Sequence, residues 1–403
     1  MQLPYPSATH SAGARVALPM GFLCVTVLLA LFAVSSAAQD CKMADVKQDG
    51  RIQDARRFNL SGCTTLNLRP DSIGVDGAKA LAEALKGNTE LTKLQLGHNQ
   101  IGVDGAKALA EALLANTALV TLDLEGNQLG DEGVKMVAEA LKGNTVLATL
   151  YLGRNQIGGA GAKALADSLG SIAALSTLDV ESNPLADEGA KALASAVKGN
   201  AVLATLKLYS TSIGDEGAKA LAKALKGNAA LSVLDLERNS IGADGAKALA
   251  KALKGNVALT TLDLGHNFNI GTKGAKALAG ALEAETALTE LRLDSTACGN
   301  VGAKALGKAL ERNTVLNTLS LRSNSVGDEG VKALATALKA NTALAALDLR
   351  YNQIGNAGAR ALAGALESNT ALGTLDLVGN SLSDDAKEMV QAAHHSPGMH
   401  DEL

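Results

Sequence analysis

The chain has 403 residues, of which 47% are hydrophobic but only 2% are aromatic, and none is tryptophan. A core must therefore be built from Leu, Ala, Ile and Val rather than from aromatic rings. The formal net charge of −4 excludes a generally basic protein, and with it the electrostatic argument for nucleic-acid binding.

Residues 1–38 have the pattern of a secretory signal peptide. An apolar run with a single Thr extends from Phe22 to Val34, and Arg15 is the only charged residue in the segment. The run is short for a membrane span, and the small residues that end at Ala38 predict cleavage after it. An uncleaved signal anchor is the alternative, since apolar residues extend back to Val16.

Residues 39–63 precede the regular part of the chain, and we expect them to form an N-terminal cap with a short helix near Asp45 to Phe58. Cys41 and Cys63 could close this cap with a disulfide in an oxidising compartment, or remain two buried thiols. Asn59 begins the sequon Asn-Leu-Ser, which makes it a possible glycosylation site in the cap.

From about Thr64 onward the chain repeats a unit of 28 residues, with one step of 29. A fixed period in this range is typical of a solenoid, in which each unit buries its apolar face against its neighbours. The Leu-x-Leu pairs that mark the units fall at 66/68, 94/96, 122/124, 150/152, 178/180 (Leu-x-Val), 206/208, 234/236, 262/264, 291/293, 319/321, 347/349 and 375/377.

The unit that begins at Leu94 shows how each repeat is built. Leu94 and Leu96 predict a short strand with one face in the core. Asn99 follows, as Asn does in nine of the twelve units, and its amide can bond backbone groups where the strand ends. Strong helix formers from Ala106 to Leu114 predict a helix that breaks at Asn116. In the last unit, Asp384 to Ala393 predicts the final helix.

Stacked units of this kind predict an α/β leucine-rich-repeat solenoid (horseshoe) over residues 64–393, with about 12 β-α units, parallel strands inside and helices outside. A 28-residue unit with a full helix resembles the ribonuclease-inhibitor-like class. Ribonuclease inhibitors, NOD-like receptor leucine-rich-repeat domains and Ran GTPase activators share this class. Because the matching residues are structural, the resemblance implies the fold and protein binding in general, without naming a partner.

Catalytic chemistry finds no support in the motifs. The recurring Gly-x-x-Gly-Ala-Lys string lacks the spacing and the Ser/Thr of a phosphate-binding loop. At about 4.8 Å per strand, His98 and His266 lie more than about 20 Å apart and cannot share a metal ion. We therefore expect a protein that is not an enzyme and that has no cofactor and no metal. Cys298 occupies a core position and is expected to be a buried thiol.

Exposed basic residues recur once in each predicted helix, from Lys79 to Arg360. The ordinary interpretation is a solvated helix face, and the alternative is a basic patch for an acidic partner. In early units an acid follows four residues later, and in several later units a lysine takes that place: Glu83, Glu111, Glu139 and Asp167, then Lys223, Lys251 and Lys308.

The solvent side of the strands carries the most variable positions. Stacking places Lys207 between Asp179 and Asp235, whereas Asp235 and Asp263 become neighbouring like charges. Phe268, in the one-residue insertion, is either an exposed contact or folded inward. We expect the partner-binding surface to consist of Asp123, Glu125, Tyr151, Asp179, Glu181, Lys207, Tyr209, Asp235, Glu237 and Asp263. The alternative is that repeated Asp only keeps the strand face soluble.

Residues 394–403 are predicted to be a flexible tail that ends in a retrieval signal for the endoplasmic reticulum, formed by His400, Asp401, Glu402 and Leu403. With the N-terminal signal, this tail predicts a resident of the endoplasmic-reticulum lumen. The retrieval receptor would then be one partner, and contact with the membrane would be limited to the signal segment if it is uncleaved.

Together these features predict a non-catalytic interaction scaffold that binds a protein or basic peptide on its concave acidic face. An enzyme inhibitor or a GTPase-activator-like regulator is the alternative that the resemblance implies. Scarce Trp and Cys argue against ribonuclease-inhibitor-like binding, and a lumenal location argues against the Ran activator role. Calcium buffering by paired acids is a weaker third possibility, because no dense acidic run or EF-hand loop is present.

Overall fold

The computed structural model describes residues 40–41, 58 and 60–394 of the chain. The signal segment, nearly all of the expected cap helix, the sequon at Asn59 and the retrieval sequence His400 to Leu403 lie outside the described residues. In the part that is described, no helix combines the length and apolar character needed to cross a membrane.

One parallel sheet holds the described residues together, and its thirteen strands follow one another in chain order. Equivalent leucines are paired in register, as Leu122 with Leu150 and Leu150 with Leu178. The strands are β1 Asp40–Cys41, β2 Thr65–Asn67, β3 Lys93–Gln95, β4 Thr121–Asp123, β5 Thr149–Tyr151, β6 Thr177–Asp179, β7 Thr205–Lys207, β8 Val233–Asp235, β9 Thr261–Asp263, β10 Glu290–Arg292, β11 Thr318–Ser320, β12 Ala346–Asp348 and β13 Thr374–Asp376.

A helix follows every strand from β2 to β13, so the described chain is an α/β leucine-rich-repeat solenoid of twelve β-α units, as the sequence predicted. The helices are α1 Gly74–Leu85, α2 Gly102–Leu113, α3 Gly130–Ala140, α4 Gly159–Leu169, α5 Ala186–Gly199, α6 Asp215–Leu225, α7 Ala243–Leu253, α8 Gly271–Leu282, α9 Gly299–Leu310, α10 Asp328–Leu338, α11 Asn356–Leu366 and α12 Asp384–Ala393. The final helix has the predicted bounds, whereas α2 begins four residues before the expected Ala106.

The core lies between the sheet and the helices. Leu94, Leu96 and Ile101 from one strand and its loop pack with Leu109 and Leu113 from α2, and all five are at most 3% exposed. Each unit repeats this set, so the buried apolar surface is continuous along the stack, and it is the main source of stability for a solenoid.

Two ladders of buried asparagines satisfy the backbone where elements end. The Asn99 amide donates to the carbonyl oxygens of Leu68 (2.7 Å) and Leu96 (2.9 Å), and its Oδ1 accepts from the N–H of Asp71 (3.1 Å). This confirms the role expected for that asparagine. Asn116, expected only to break the helix, forms a second ladder in which its amide bonds carbonyls of the preceding unit.

The connections from strand to helix are of two kinds, and the preceding unit decides which forms. Gly102 has φ 62°, and its N–H donates to the carbonyl of Asn127. Gly158 is extended instead, and Asp131 accepts from the N–H of Gly158 (2.7 Å) and of Gly161 (2.9 Å). The second arrangement recurs with acceptors Asp187, Asp215, Asn300 and Asp328. An Asp or Asn just inside one helix therefore caps the next helix.

The three described cysteines lie in the N-terminal cap segment and at one core position. Cys41 lies on β1, which pairs with β2, and a disulfide joins it to Cys63 with a Cα–Cα distance of 5.7 Å. Cys298 is fully buried and free, as expected, and burial raises the pKa of its thiol to about 12. Such a thiol is unreactive at neutral pH because the thiolate is scarce.

Candidate interaction surface

Two columns of side chains cover the solvent side of the sheet, here called the strand face. The first column comes from the last residue of each strand, and register pairing sets Tyr151 beside Asp179, Lys207 beside Asp235, and Asp235 beside Asp263. The second column stands two residues further along each unit. Its members from the third unit onward are Glu125, Gly153, Glu181, Tyr209, Glu237, Gly265, Asp294, Arg322, Arg350 and Val378.

The aspartates of the first column bond their own backbone. Oδ1 of Asp235 accepts from the N–H of Glu237 (2.9 Å), and Asp263 accepts from Gly265 (2.8 Å). Asp123 and Asp179 make the same bond and are only 3% and 4% exposed. Their carboxylates turn onto the end of the strand and neighbouring side chains cover them, so Asp123 and Asp179 offer little surface to a partner. Their place in the expected partner-binding surface stays a prediction.

Glycines in the second column make room for long charged side chains. Arg69 reaches over Gly97, where a Cβ atom would collide with its guanidinium, and contacts the second unit along. Its Nε lies 2.6 Å from Asp123 and its Nη2 lies 2.6 Å from Glu125. Arg154 adds a contact of 3.3 Å to Glu125. The N-terminal carboxylates of the strand face are therefore neutralised within the chain.

The carboxylates from β6 to β9 have far weaker cationic partners. Lys207 lies 3.4 Å from Asp179, and two arginines stand at 3.8 Å from Glu237 and 3.9 Å from Asp263. Among the described side chains, none forms an ion pair with Glu181 or Asp235. We call Glu181, Lys207, Tyr209, Asp235, Glu237 and Asp263 the central acidic surface.

Burial raises the pKa of these acids, and repulsion from neighbouring carboxylates adds to the rise at Glu237 and Asp263. Desolvation raises the pKa of Asp235 and Glu237, and Asp235 adds to the rise at Glu237. Desolvation raises the pKa of Asp263 to about 7, with Asp235 and Glu237 adding to the effect. The neighbouring carboxyl groups expected at Asp235 and Asp263 are therefore present, and the cations near them, Lys207 and Arg292, offset the effect of desolvation only in part.

Aromatic rings stand at both ends of this surface. Tyr151 is half-buried between Asp123 and Asp179. Tyr209 is also half-buried, and the guanidinium of Arg238 lies 5.6 Å from the centre of its ring. Phe268 is 66% exposed, which settles the two alternatives in favour of an outward ring.

The surface is an open depression rather than an enclosed pocket. A hollow of about 450 Å³ lies beside Tyr151, lined among others by Arg69, Glu125, Glu181 and Lys207. Within the described range, no group of three or more His, Cys, Asp or Glu side chains is placed to hold a metal ion. An arrangement of this kind, with opposed charges and partly exposed tyrosines, is suited to holding another chain.

The C-terminal part of the strand face is balanced by arginines. Arg350 bridges two acids, with Nη2 at 2.7 Å from Asp348 and Nε at 2.9 Å from Asp376. Arg322 stacks over Tyr351 at 4.8 Å from the ring centre. The sequence-based prediction left this region outside the binding surface, because the repeat pattern does not show that Arg350 bridges two acids. It also missed Arg69, because the pattern does not show that this side chain reaches across Gly97.

Comparisons with known proteins show which family this architecture belongs to. The family model described as the NLRC3 LRR domain matches residues 46–397. No curated protein matches the chain. Among solved structures, the Rad7 and Elc1 complex in yeast is similar over 84% of this chain and 80% of the other, with 18% identity and a TM-score of 0.51, a likeness of fold alone.

Two shorter likenesses cover little of the chain. A structure of leiomodin-1 actin-binding site 2 has 20% identity over 38% of this chain and 86% of the other, with a TM-score of 0.32. The tropomodulin C-terminal domain of Caenorhabditis elegans has 17% identity over 37% and 90%, with a TM-score of 0.32. The family match, by contrast, spans nearly all of the described solenoid, and the chain belongs to the leucine-rich-repeat family represented by the NLRC3 LRR domain.

Proposed function

We propose that this protein is a non-catalytic scaffold that holds a protein partner on the central acidic surface through a basic, extended segment of that partner. The observation that carries the proposal is the excess of carboxylates over close cations from β6 to β9. Asp235 and Glu181 have no ion-pair partner among the described residues, and Asp263 has only Arg292 at 3.9 Å.

A basic side chain from a partner would relieve the strain of these like charges. Adjacent parallel strands set Asp235 and Asp263 about 4.8 Å apart, so one guanidinium or ammonium group can reach both carboxylates. Desolvation raises the pKa of both acids, and repulsion from Asp235 adds to the rise at Asp263, so a cation placed between them favours the ionised forms. Binding is therefore expected to be charge-assisted and to weaken with salt.

The two tyrosines supply the apolar part of the contact. Tyr151 and Tyr209 are half-buried, so each ring is held in place on one side and open on the other. Rings of this kind are frequent anchors in protein interfaces because they bury a large area with little loss of side-chain freedom. The interior strands β4 to β9 cannot pair with the partner, since each is already hydrogen-bonded to a strand on both sides in the sheet.

Affinity purification of the full-length protein tests this proposal. Tyr151→Ala combined with Tyr209→Ala should remove the principal partners from the recovered set. Tyr351→Ala is the matched control, because Tyr351 also lies beside a stacked arginine but on the balanced C-terminal part. An unchanged set of partners in the double variant would refute the assignment of the surface.

The proposal includes a location in the lumen of the endoplasmic reticulum. The apolar segment Phe22 to Val34 and the terminal His400 to Leu403 support it, although both lie outside the described residues. Removal of the last four residues should send the protein into the medium of cultured cells. Continued retention of that truncated protein would contradict a receptor-read retrieval signal.

A further inference from the structure

The helix face of α5, α6 and α7 concentrates positive charge. The second halves of these helices, with the cap residues that follow them, contain no Asp or Glu, and every lysine in them is exposed. The exposed lysines of the whole helices and their caps, which we call the lysine face, are Lys191, Lys198, Lys219, Lys223, Lys226, Lys247, Lys251 and Lys254. Of these, Lys191, Lys219 and Lys247 lie in the first halves of the helices, which also carry acids. Within the described residues only Lys219 has a carboxylate partner, Glu216 at 2.7 Å.

The same helix positions are balanced in earlier units. Lys86 pairs with Glu83 at 2.5 Å, Lys142 pairs with Glu139 at 2.7 Å, and α4 holds a similar pair of Lys163 and Asp167. In α6 and α7 the residues equivalent to Glu83 are Lys223 and Lys251. A lysine near a helix C-terminus interacts favourably with the helix dipole. Every unit offers this interaction, so it does not explain why an acid in the early units is replaced by a lysine in α6 and α7.

A groove crosses this face between α5 and α6. It has a volume of about 350 Å³ and is lined by the buried Ala194 and Ala224, by Ser195 and Ala220, and by the exposed Lys191, Lys198 and Lys223. The small residues let a narrow chain approach the helices closely. The lysines can then fold over it and meet acidic groups.

We propose that the lysine face is a second docking surface, opposite in charge to the strand face, which takes an extended acidic peptide segment of a partner protein. Acidic side chains meet the lysines that line the α5–α6 groove, and the remaining lysines of α6 and α7 extend the contact along the solenoid. The two faces would allow the scaffold to hold a basic segment and an acidic segment at once.

The chemistry of this face favours a peptide over other anionic partners. None of the three helices carries an aromatic residue or an arginine, so bases have nothing to stack on. The exposed large apolar side chains of the described chain all lie outside α5, α6 and α7, so nothing on these helices inserts into a lipid surface. A groove lined by small residues fits a narrow chain better than a flat membrane.

Titration of the full-length protein against a fluorescent deca-glutamate peptide tests the proposal. Lys223→Glu combined with Lys251→Glu installs the residue that α1, α2 and α3 carry at the same position, so the variant is expected to fold. Its affinity for the peptide should fall about tenfold or more. Lys79→Glu combined with Lys107→Glu makes the same change in net charge on α1 and α2, and it should alter affinity less than about twofold.

The outcomes separate this surface from its alternatives. An equal loss in both double variants would show that only net charge matters, and it would overturn the site. Preferential binding of vesicles rich in phosphatidylserine would assign the lysine face to a membrane. Salt-sensitive self-association in sedimentation that is lost in Lys223→Glu plus Lys251→Glu would assign it to a second copy of the chain. Normal capture of a basic partner by this variant would leave the strand-face proposal intact.

Discussion

The central and C-terminal parts of the strand face carry the same type of residue in the same column, but they differ in how the charge is met. At β12 and β13, Arg350 lies 2.7 Å from Asp348 and 2.9 Å from Asp376. At β8 and β9, Asp235 has no ion-pair partner among the described residues, and the nearest cation to Asp263 is 3.9 Å away. The Asp that recurs at strand ends is therefore a structural feature of the solenoid. The candidate surface is distinguished by the absence of a close cation beside these carboxylates.

The aspartates in both regions share a structural task. Each accepts a hydrogen bond from the N–H two residues later, as Asp235 does from Glu237 and Asp348 does from Arg350. A carboxylate at this position is thus explained by the turn of the chain. What differs between Asp235 and Asp348 is the residue that supplies that N–H, which is Glu237 in the central region and Arg350 in the C-terminal region.

The largest effect is expected from neutralising the central acids. Asp235→Asn, Glu237→Gln and Asp263→Asn together should weaken the binding of a lysine-rich peptide about 100-fold, since each lost charge contact is worth about 1 kcal/mol. Fluorescence anisotropy at low salt measures this. Asp348→Asn with Asp376→Asn is the matched control, and a loss of similar size there would erase the distinction between the regions.

A pH-dependent effect should appear at Asp263. Its pKa is raised to about 7, so the folded protein holds a proton that the unfolded chain releases near pH 4. Stability from this group therefore falls as the pH rises from about 4 to about 7. Asp263→Asn should match the wild type at pH 4 and exceed it by about 4 kcal/mol at pH 8 in urea unfolding, because a pKa that rises from about 4 to about 7 corresponds to about 4 kcal/mol. A pH-independent difference would contradict the raised pKa.

The balanced region should respond in the opposite way when its cation is removed. Arg350→Ala leaves Asp348 and Asp376 close together without a partner and should lower the free energy of unfolding by about 1–2 kcal/mol. Arg292→Ala, beside Asp263 in the central region, removes a contact of 3.9 Å to Asp263 and an exposed ion pair of 2.6 Å to Glu290, and it should cost less than about 1 kcal/mol. Equal losses in the two variants would show that the regions do not differ.

The smallest effect concerns the one base of the central acidic surface. Lys207 lies 3.4 Å from Asp179 and competes with a cation supplied by a partner. Lys207→Gln should therefore tighten the binding of the lysine-rich peptide about threefold, equivalent to about 0.6 kcal/mol. Weaker binding in that variant would indicate that Lys207 itself contacts the partner.

The repeat pattern predicted most of the fold because its signals are local and recur. Leu-x-Leu pairs located β2 to β13, and the last unit located α12 at Asp384–Ala393. The caps from Asp131 to Gly158 and Gly161 were missed, although a signal exists. In those units an Asp or Asn just inside one helix is followed 27 and 30 residues later by two glycines. Asp244 has the same spacing to Gly271 and Gly274 but forms no such cap, because the one-residue insertion lies between them.

The site was less predictable, because it depends on contacts between units. Arg69 meets Glu125 across 56 residues, and it does so only because Gly97 between them has no side chain. Arg69 also lies against the buried Asp123, whereas the buried Asp179 lies beside Lys207 of the next unit. The sequence predicted which charges stand in each column of the strand face. It could not predict the distance from each carboxylate to its nearest cation.

Photo-crosslinking from two matched tyrosine positions tests the central claim most directly. Tyr209 and Tyr351 each lie next to a stacked arginine, at 5.6 Å and 4.8 Å, but one belongs to the central acidic surface and the other to the balanced region. Benzoylphenylalanine at position 209 should capture the partner, in a salt-sensitive manner, and the same group at position 351 should not. Capture from position 351 alone, or equally from both, would contradict the account.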